Sequence, residues 1–223
     1  MKKKSKNPLS KTFSSLLLCK TALLNSKSGV AQANTFSGTV EVDPLYSSAV
    51  TLDGDTVLNG TTVVFDGNAT IDGAHNLSAN ISNGTTFNGT IGGSTPLSSI
   101  IIGSDDISIN ANVTTSGEQT YQPFSSSPGD IVFNGIFTTS DSSISLLGSG
   151  TSGVSLGLSG DTTIDVGTAE FSIQKGSGAP SGGIIYSEGK SDVYNLSITA
   201  GNITVPDAIG VAGSLGVVSP QLG

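Results

Sequence analysis

The chain has 223 residues, among them nine lysines, seventeen acidic residues, one histidine and one cysteine, and its formal net charge is −8 at pH 7. Nucleic-acid binding needs a basic surface that displaces counterions from phosphate, so this composition excludes it. Attraction to anionic lipid is excluded for the same reason. From Asn34 onward, Leu, Ile, Val and Phe make up roughly 27% of the chain, above the roughly 20% below which a charged chain stays unfolded. We therefore predict an ordered chain, with disorder or a sandwich as alternatives.

The segment from Met1 to Ala33 has the layout of a secretory signal peptide. Seven of the nine lysines lie at or before Lys27, whereas all the acidic residues come later. The basic start is followed by an apolar stretch over residues 13–24, which Lys20 interrupts, and by a small-x-small exit signal over residues 31–33. This order of segments is typical of export signals. We therefore predict that residues 1–33 are a signal peptide removed on export, the alternative being an uncleaved leader.

Cys19 lies inside this leader. A lipid-accepting cysteine usually follows a small residue, and Leu18 is not small. We therefore interpret Cys19 as an ordinary leader residue rather than a lipidation site. Cleavage after Ala33 leaves a mature chain without cysteine, which excludes disulfide and thiolate chemistry there. That mature chain carries two lysines against seventeen acidic residues, a net charge near −15.

Four short segments recur along the chain at nearly constant steps of about 22 to 24 residues. Each has an apolar anchor followed by Asp or Asn and then by Gly or Ala, and the anchors are Phe65, Phe87, Ile109 and Phe133. A period in the twenties is typical of a solenoid, in which each rung buries its apolar face only by stacking on its neighbours. Asn, Asp and Gly favour local turns, so each strand is predicted to end and bend at the same place.

These patterns predict an all-β parallel coil that fills residues 34–223. Apolar residues recur at spacing two, and Thr, Ser, Val and Ile are abundant, which favours strands over helices. The regular coil is expected from about Val40, with rungs of about 22–24 residues, and the less regular segment 35–46 is expected to cover one end. The four anchors should form one buried column with steps of about 4.8 Å. An amide ladder is expected at the corner, formed by Asn88, Asn110 and Asn134.

No constellation of residues in the sequence indicates a reaction. His75 is the only histidine and lies in a turn segment, where a solvated side chain is expected rather than a catalytic base. Asp53 and Asp55, with Asn59, have oxygens at calcium-like spacing, but a complete calcium loop with its terminal Glu is missing. The adjacent acids of the pair at 105–106 should point to opposite faces of a strand. We therefore predict no catalytic, cofactor-binding or metal-binding residue and no cofactor.

Two stretches carry a resemblance to a known kind of protein. Residues 83–92 align without gaps on residues 201–210, which indicates a second repeat. The segments 86–100 and 107–122 resemble the repeats of bacterial filamentous-haemagglutinin and autotransporter-passenger proteins. A weaker resemblance, to chlamydia-type polymorphic membrane proteins, rests on Phe65-Asp66-Gly67-Asn68 and on Gly182-Gly183-Ile184-Ile185.

The first resemblance implies a right-handed parallel β-helix at the bacterial cell surface or outer membrane, or released outside the cell. It implies a passenger- or adhesin-like structural role without catalysis, with host-cell or matrix surface molecules as partners. Autotransporters end in a membrane barrel, whereas this chain stops at Gly223 after a rung-like strand. The resemblance therefore implies a passenger that is incomplete at its C-terminus and a separate or missing outer-membrane transporter barrel.

Two further expectations follow from the residues themselves. Direct membrane insertion is not expected, because the longest apolar runs are far shorter than a spanning helix. Uncapped strand edges predict end-to-end self-association. From another functional class, the alternative is a polysaccharide-acting β-helix enzyme, a lyase or a hydrolase. Nine Asn-x-Ser/Thr sequences also leave open a glycosylated eukaryotic secretory chain.

Overall fold

The strands of this chain wind into a right-handed parallel β-helix, which confirms the predicted fold class. A computed structural model describes residues 34–124, 129–150, 153–179, 184–188, 193–206, 208–209 and 218–222. The strands of these residues belong to one sheet and pair in parallel, and no helix occurs among them. The predicted signal peptide, with Cys19, lies outside the described residues.

The strands are short except where one continues round a corner of the coil. The longest, β3, is continuous through a register shift near Gly60, where the chain turns from one side of the coil to the next. In chain order the strands are β1 Asn34–Glu41, β2 Leu45–Tyr46, β3 Val50–Phe65, β4 Ile71–Asp72, β5 Asn76–Phe87, β6 Ser99–Ile109, β7 Val113–Thr114, β8 Gln119–Pro123, β9 Gly129–Thr138, β10 Ile144–Leu147, β11 Val154–Asp165, β12 Glu170–Gln174, β13 Ile184–Ser187, β14 Leu196–Ala200, β15 Asn202–Thr204, β16 Ala208–Ile209 and β17 Val218–Leu222.

Each rung of the coil contributes to three sides, which we name by the buried column behind each. Because side chains alternate along a strand, one set points into the coil and the other faces solvent. The first side has Val50, Ile71, Ile91, Val113, Phe137, Ile164 and Ile198 behind it. The second side has Leu58, Ala79, Ile102, Tyr121, Leu146 and Ile173. The third side has Phe65, Phe87, Ile109, Phe133 and Leu158.

The predicted column of anchors is confirmed on the third side. Each of the four anchors pairs with the next one along the chain, and all four are fully buried. The rings of Phe65 and Phe87 stack with their centroids 4.9 Å apart. Tyr46 stacks on Phe65 at 4.9 Å, and Leu158 pairs with Phe133, so the column extends one step further at each end.

The expectation for the N-terminal segment is wrong. Residues 35–46 were expected to form an irregular cap, but β1 begins at Asn34 and pairs in parallel with β3 over both of its halves. Phe36 is buried against Tyr46, with ring centroids 5.5 Å apart. The regular coil therefore starts at Asn34 rather than near Val40, because the apolar residues of this segment alternate as those of a strand do.

The predicted rung length holds for the anchors of the third side from Phe65 to Phe133 but not for every step of the coil. Val50 pairs with Ile71 after a step slightly shorter than predicted, whereas the step from Phe137 to its partner Ile164 is longer than predicted. The next step on this side, from Ile164 to Ile198, is longer still. Register is fixed by the paired strands alone, so turns of different length are tolerated between them.

The corner beside the third side is only partly the amide ladder that was predicted. Asn110 Nδ2 donates to Asn88 Oδ1 at 3.0 Å. The next donor to Asn110 Oδ1 is the Ser159 hydroxyl at 3.2 Å rather than an amide of Asn134. At the same corner Gly89 is required by space, because a Cβ there would lie 2.4 Å from the carbonyl oxygen of Ala69.

The second repeat is not a structural repeat. In the gapless alignment, Phe87 of the third side corresponds to Val205. Val205 directly follows β15, which pairs with β12 on the second side. The similarity of the two segments reflects the shared strand and turn composition of the chain, since they occupy different sides of the coil.

Candidate functional site

The histidine considered for catalysis lies beside one of the acids considered for calcium binding. His75 Nδ1 is 4.0 Å from Asp55 Oδ1 on the surface, at the turn that leads into β5. Asp55 Oδ1 also accepts a hydrogen bond of 3.0 Å from the backbone N–H of Asn76. This hydrogen bond lowers the pKa of the Asp55 carboxyl, with the nearby His75 adding to the effect. Asp55 thus links one rung to the next, and its contact with His75 is structural.

The described residues show neither a metal-binding cluster nor a membrane-spanning helix. Among those residues, no group of three or more His, Cys, Asp and Glu side chains is arranged to hold a metal ion. No helix in the same part of the chain is long and apolar enough to cross a membrane.

The third side carries an acidic cluster that the sequence did not reveal, formed by Asp106, Asp130, Tyr186 and Glu188. The Tyr186 hydroxyl donates to Glu188 Oε1 at 3.3 Å and also bonds to Asp130. Partial burial raises the pKa of the Asp130 carboxyl, and the charge of Asp106 raises it further. Burial, with the charges of Asp130 and Glu188, also raises the pKa of Tyr186. Asp106 and Asp130 thus approach each other between rungs, whereas the adjacent pair at 105–106 takes no part as a pair.

A signal for this cluster does exist in the sequence. Ile107 pairs with Ile131, and each lies two residues before an anchor. The residues that precede them, Asp106 and Asp130, therefore share one outward row. Gly157 makes room for the cluster, since a Cβ there would lie 2.9 Å from Glu188 Oε1.

The second side carries two neighbouring outward rows without ionisable side chains between Val57 and Gln174, and we call these two rows the uncharged face. Its residues are the outward ones in two neighbouring rows: Val57, Ser78, Ile101, Thr120, Ser145 and Ser172 in one, and Asn59, Asn80, Gly103, Gln122, Leu147 and Gln174 in the other. Five steps of about 4.8 Å make this face about 24 Å long.

The polar groups of the uncharged face are available to a ligand. Among the described residues, no protein partner hydrogen-bonds to the side-chain amides of Asn59, Asn80 and Gln122. Towards the far end, the hydroxyls of Ser145 and Ser172 lie 3.3 Å apart and bond to each other. Each of these amides offers a donor and an acceptor, and Gly103 separates Asn80 from Gln122 in their row.

Carboxylates lie on all three sides of the coil, outside the two rows of the uncharged face. The outward row of the first side includes Asp72 and Asp165, and Asp72 Oδ1 accepts hydrogen bonds of 2.7 Å and 3.1 Å from the backbone of the next turn. The third side carries the acidic cluster. On the second side the row next to the uncharged face carries Asp55, Glu118 and Glu170, and Glu41 pairs with Asn59 at one end. A partner that stays on the two rows between Val57 and Gln174 therefore desolvates no carboxylate.

The sequence predicted no site residues, and it pointed to polar rows along the coil without indicating which row. Knowledge of the register is what separates the two rows of the uncharged face from the rows that carry acids. Comparison with family models, with curated proteins and with solved structures found no match.

Proposed function

We propose that this chain is an exported bacterial protein, displayed at the cell surface or secreted, with a passenger- or adhesin-like interaction role and no catalytic activity. One observation carries the proposal. The coil offers two neighbouring rows of mostly hydrogen-bonding side chains, about 24 Å long, with no ionisable side chain between Val57 and Gln174. Hydrogen-bonding groups spread over several rungs suit the binding of an extended partner along the coil.

Export is supported by the charge distribution of the sequence. The leader, residues 1–33, holds seven of the nine lysines and an apolar stretch, and the remaining chain is strongly acidic. A strongly charged surface keeps a protein soluble and resists non-specific association. As partners we propose host-cell or matrix surface molecules, together with a separate outer-membrane transporter barrel.

End-to-end self-association belongs to the same proposal. Among the described residues, β1 pairs only with β3. A strand edge with unpaired backbone groups is a template for another chain. A second copy that meets this edge would continue the parallel sheet.

The alternative function is that of a polysaccharide-acting β-helix enzyme. The acidic cluster favours it, because hydrolases of this class use two carboxyl groups, one of them with a raised pKa. Asp106 and Asp130 supply such a pair, and the pKa of Asp130 is raised. No arginine and only two lysines follow the leader, so positive charge to stabilise an anionic sugar transition state is scarce.

An attachment assay tests the proposed function. The full-length protein is expressed in a bacterial host, purified, immobilised and presented to cultured epithelial cells and to matrix glycoproteins. We expect attachment, and we expect Asn80→Asp combined with Gln122→Glu to reduce it about tenfold, because the new carboxylates must be desolvated against the partner. The matched control is Asn68→Asp, which adds a charge at an exposed turn away from the uncharged face.

Two results would contradict the proposal. One is attachment that is equal in the wild type and the face variant. The other is the release of reducing ends or unsaturated sugars from polysaccharides by the purified protein, with loss of that release in Asp130→Asn, which would establish the enzymatic alternative.

A further inference from the structure

An aromatic ring lies across the middle of the uncharged face. Phe124 is 41% exposed, and Ile101 in the neighbouring row is 48% exposed. Both are large, exposed apolar side chains among the amides and hydroxyls at the centre of this face. Elsewhere on the coil, the exposed Ile136 lies on the first side, beside the inward-pointing Phe137.

Gly103 makes the position of this ring possible. A Cβ on Gly103 would lie 2.3 Å from Cζ and 2.6 Å from Cε1 of Phe124, so the ring occupies the space of the missing side chain. Gly103 does not have a positive φ, so its backbone conformation does not require glycine. The backbone N–H of Phe124 donates to the carbonyl oxygen of Ser104 at 3.0 Å, which anchors the residue that carries the ring.

The Phe124 ring lies above Gly103, within a row that includes side-chain amides. Gly103 pairs with Asn80 on one side and with Gln122 on the other. Side-chain amides whose hydrogen-bonding groups are free therefore lie one rung above and one rung below the ring, at steps of about 4.8 Å. No ionisable side chain interrupts this row from Asn59 to Gln174.

We propose that the uncharged face binds a neutral linear polysaccharide that runs along the coil axis, with one sugar ring stacked on Phe124. This inference rests on the proposed function, and it names the ligand class for the same face. A pyranose ring has an apolar C–H face that suits an aromatic side chain and a rim of hydroxyl groups that both donate and accept hydrogen bonds. Asn80 and Gln122 provide the matching donors and acceptors to the sugars on either side.

Charge selects the neutral class of polysaccharide. The protein is acidic, and carboxylates lie on all three sides, for example at Asp72, Glu118 and Asp130. An anionic glycan would be repelled by this field and would find no cation in the two rows of the face. A neutral chain avoids both costs.

The test uses the full-length protein and a panel of neutral β-linked hexasaccharides, which includes those of glucose and of N-acetylglucosamine. A galacturonate hexasaccharide is the anionic comparison. Affinity is measured by calorimetry, and the binding site is located by the methyl NMR resonances of Ile101 and Ile136. We expect a neutral hexasaccharide to bind and to shift the resonance of Ile101 but not that of Ile136, and we expect the anionic one not to bind.

Two variants test the role of the ring. Phe124→Ala is expected to weaken the affinity roughly tenfold, because stacking on the ring is lost. Gly103→Ala is expected to have a similar effect, because its Cβ displaces the ring without removing it. The matched control, Gly84→Ala, places a methyl group in open space on the third side and should bind as the wild type does.

The outcomes separate this inference from the function on which it rests. Cell attachment without binding of any neutral hexasaccharide would overturn the inference and leave the proposed function standing. Binding that is unchanged in both Phe124→Ala and Gly103→Ala would also overturn it, as would tighter binding of the anionic chain. Absence of both attachment and glycan binding would overturn the two proposals together.

Discussion

Replacing Phe87 by aspartate is expected to unfold the coil or to fray it on both sides of β5. Phe87 is fully buried, and its ring stacks on that of Phe65 at 4.9 Å. Removal of a buried phenylalanine alone costs about 3–5 kcal/mol, and an unpaired carboxylate in the same place costs several more. Typical domains have only about 5–15 kcal/mol of stability, so the variant should have no cooperative unfolding transition near that of the wild type.

The check is chemical denaturation followed by far-ultraviolet circular dichroism. Asn80→Asp is the matched control, since it introduces the same acid into the same strand at an exposed outward position. Its free energy of unfolding should stay within about 0.5 kcal/mol of the wild type. Equal stability of Phe87→Asp and the wild type would mean that the anchor column does not hold the coil together.

The second large loss of stability is expected when a buried polar residue inside the coil is replaced. Gln119 is fully buried, and its Nε2 donates to the carbonyl oxygen of Thr138 at 2.9 Å. The Tyr121 hydroxyl donates to Gln119 Oε1 at 3.0 Å. Gln119→Leu keeps a similar volume but leaves the Tyr121 hydroxyl buried without its acceptor. We expect the free energy of unfolding to fall by about 1–3 kcal/mol.

A double variant separates this cause from simple loss of packing. Tyr121→Phe alone leaves Gln119 Oε1 without its donor, whereas Gln119→Leu combined with Tyr121→Phe removes both polar partners. The double variant should therefore lose less stability than the sum of the two single variants. Strict additivity of the two losses would show that the hydrogen bond between them contributes nothing.

The free energy of unfolding at alkaline pH gives an independent test of the buried Tyr121 hydroxyl. Burial raises the pKa of Tyr121 above its ordinary value of 10.0. The folded state then holds the proton that the unfolded state releases, so stability is full below pH 10 and falls as the pH rises above it. The double variant should lose less stability in this range than the wild type does.

The sequence predicts the fold well where each rung repeats the same local chemistry. The anchors, from Phe65 to Phe133, combine an apolar residue with a turn residue at nearly constant spacing, and this combination fixes strand, turn and register together. The sequence does not predict the step between rungs correctly where only the buried residues of the coil are constrained. The longer steps that follow Phe137 and Ile164 fall outside the predicted range, because turns on the outside accept extra residues without disturbing the pairing.

The candidate site was predictable only in its general character. Polar rows on the outside follow from the alternation of apolar and polar residues. Their identity depends on which residues stack between rungs, as with Asn80 and Gln122 on either side of Gly103. The place of Phe124 depends on space above Gly103, a three-dimensional property that no local pattern encodes. The proximity of Asp106 and Asp130 follows from the repeat, whereas the approach of Tyr186 and Glu188 to them does not.

The measurement that most directly tests an exported, surface-acting role is the compartment and N-terminal residue of the full-length protein made in a bacterial host. Cell fractionation followed by N-terminal sequencing gives both. We predict that the protein lies outside the cytoplasm and that its sequence begins near Asn34, after removal of residues 1–33. A cytoplasmic protein that begins at Met1, or one that carries lipid on Cys19, would contradict this prediction.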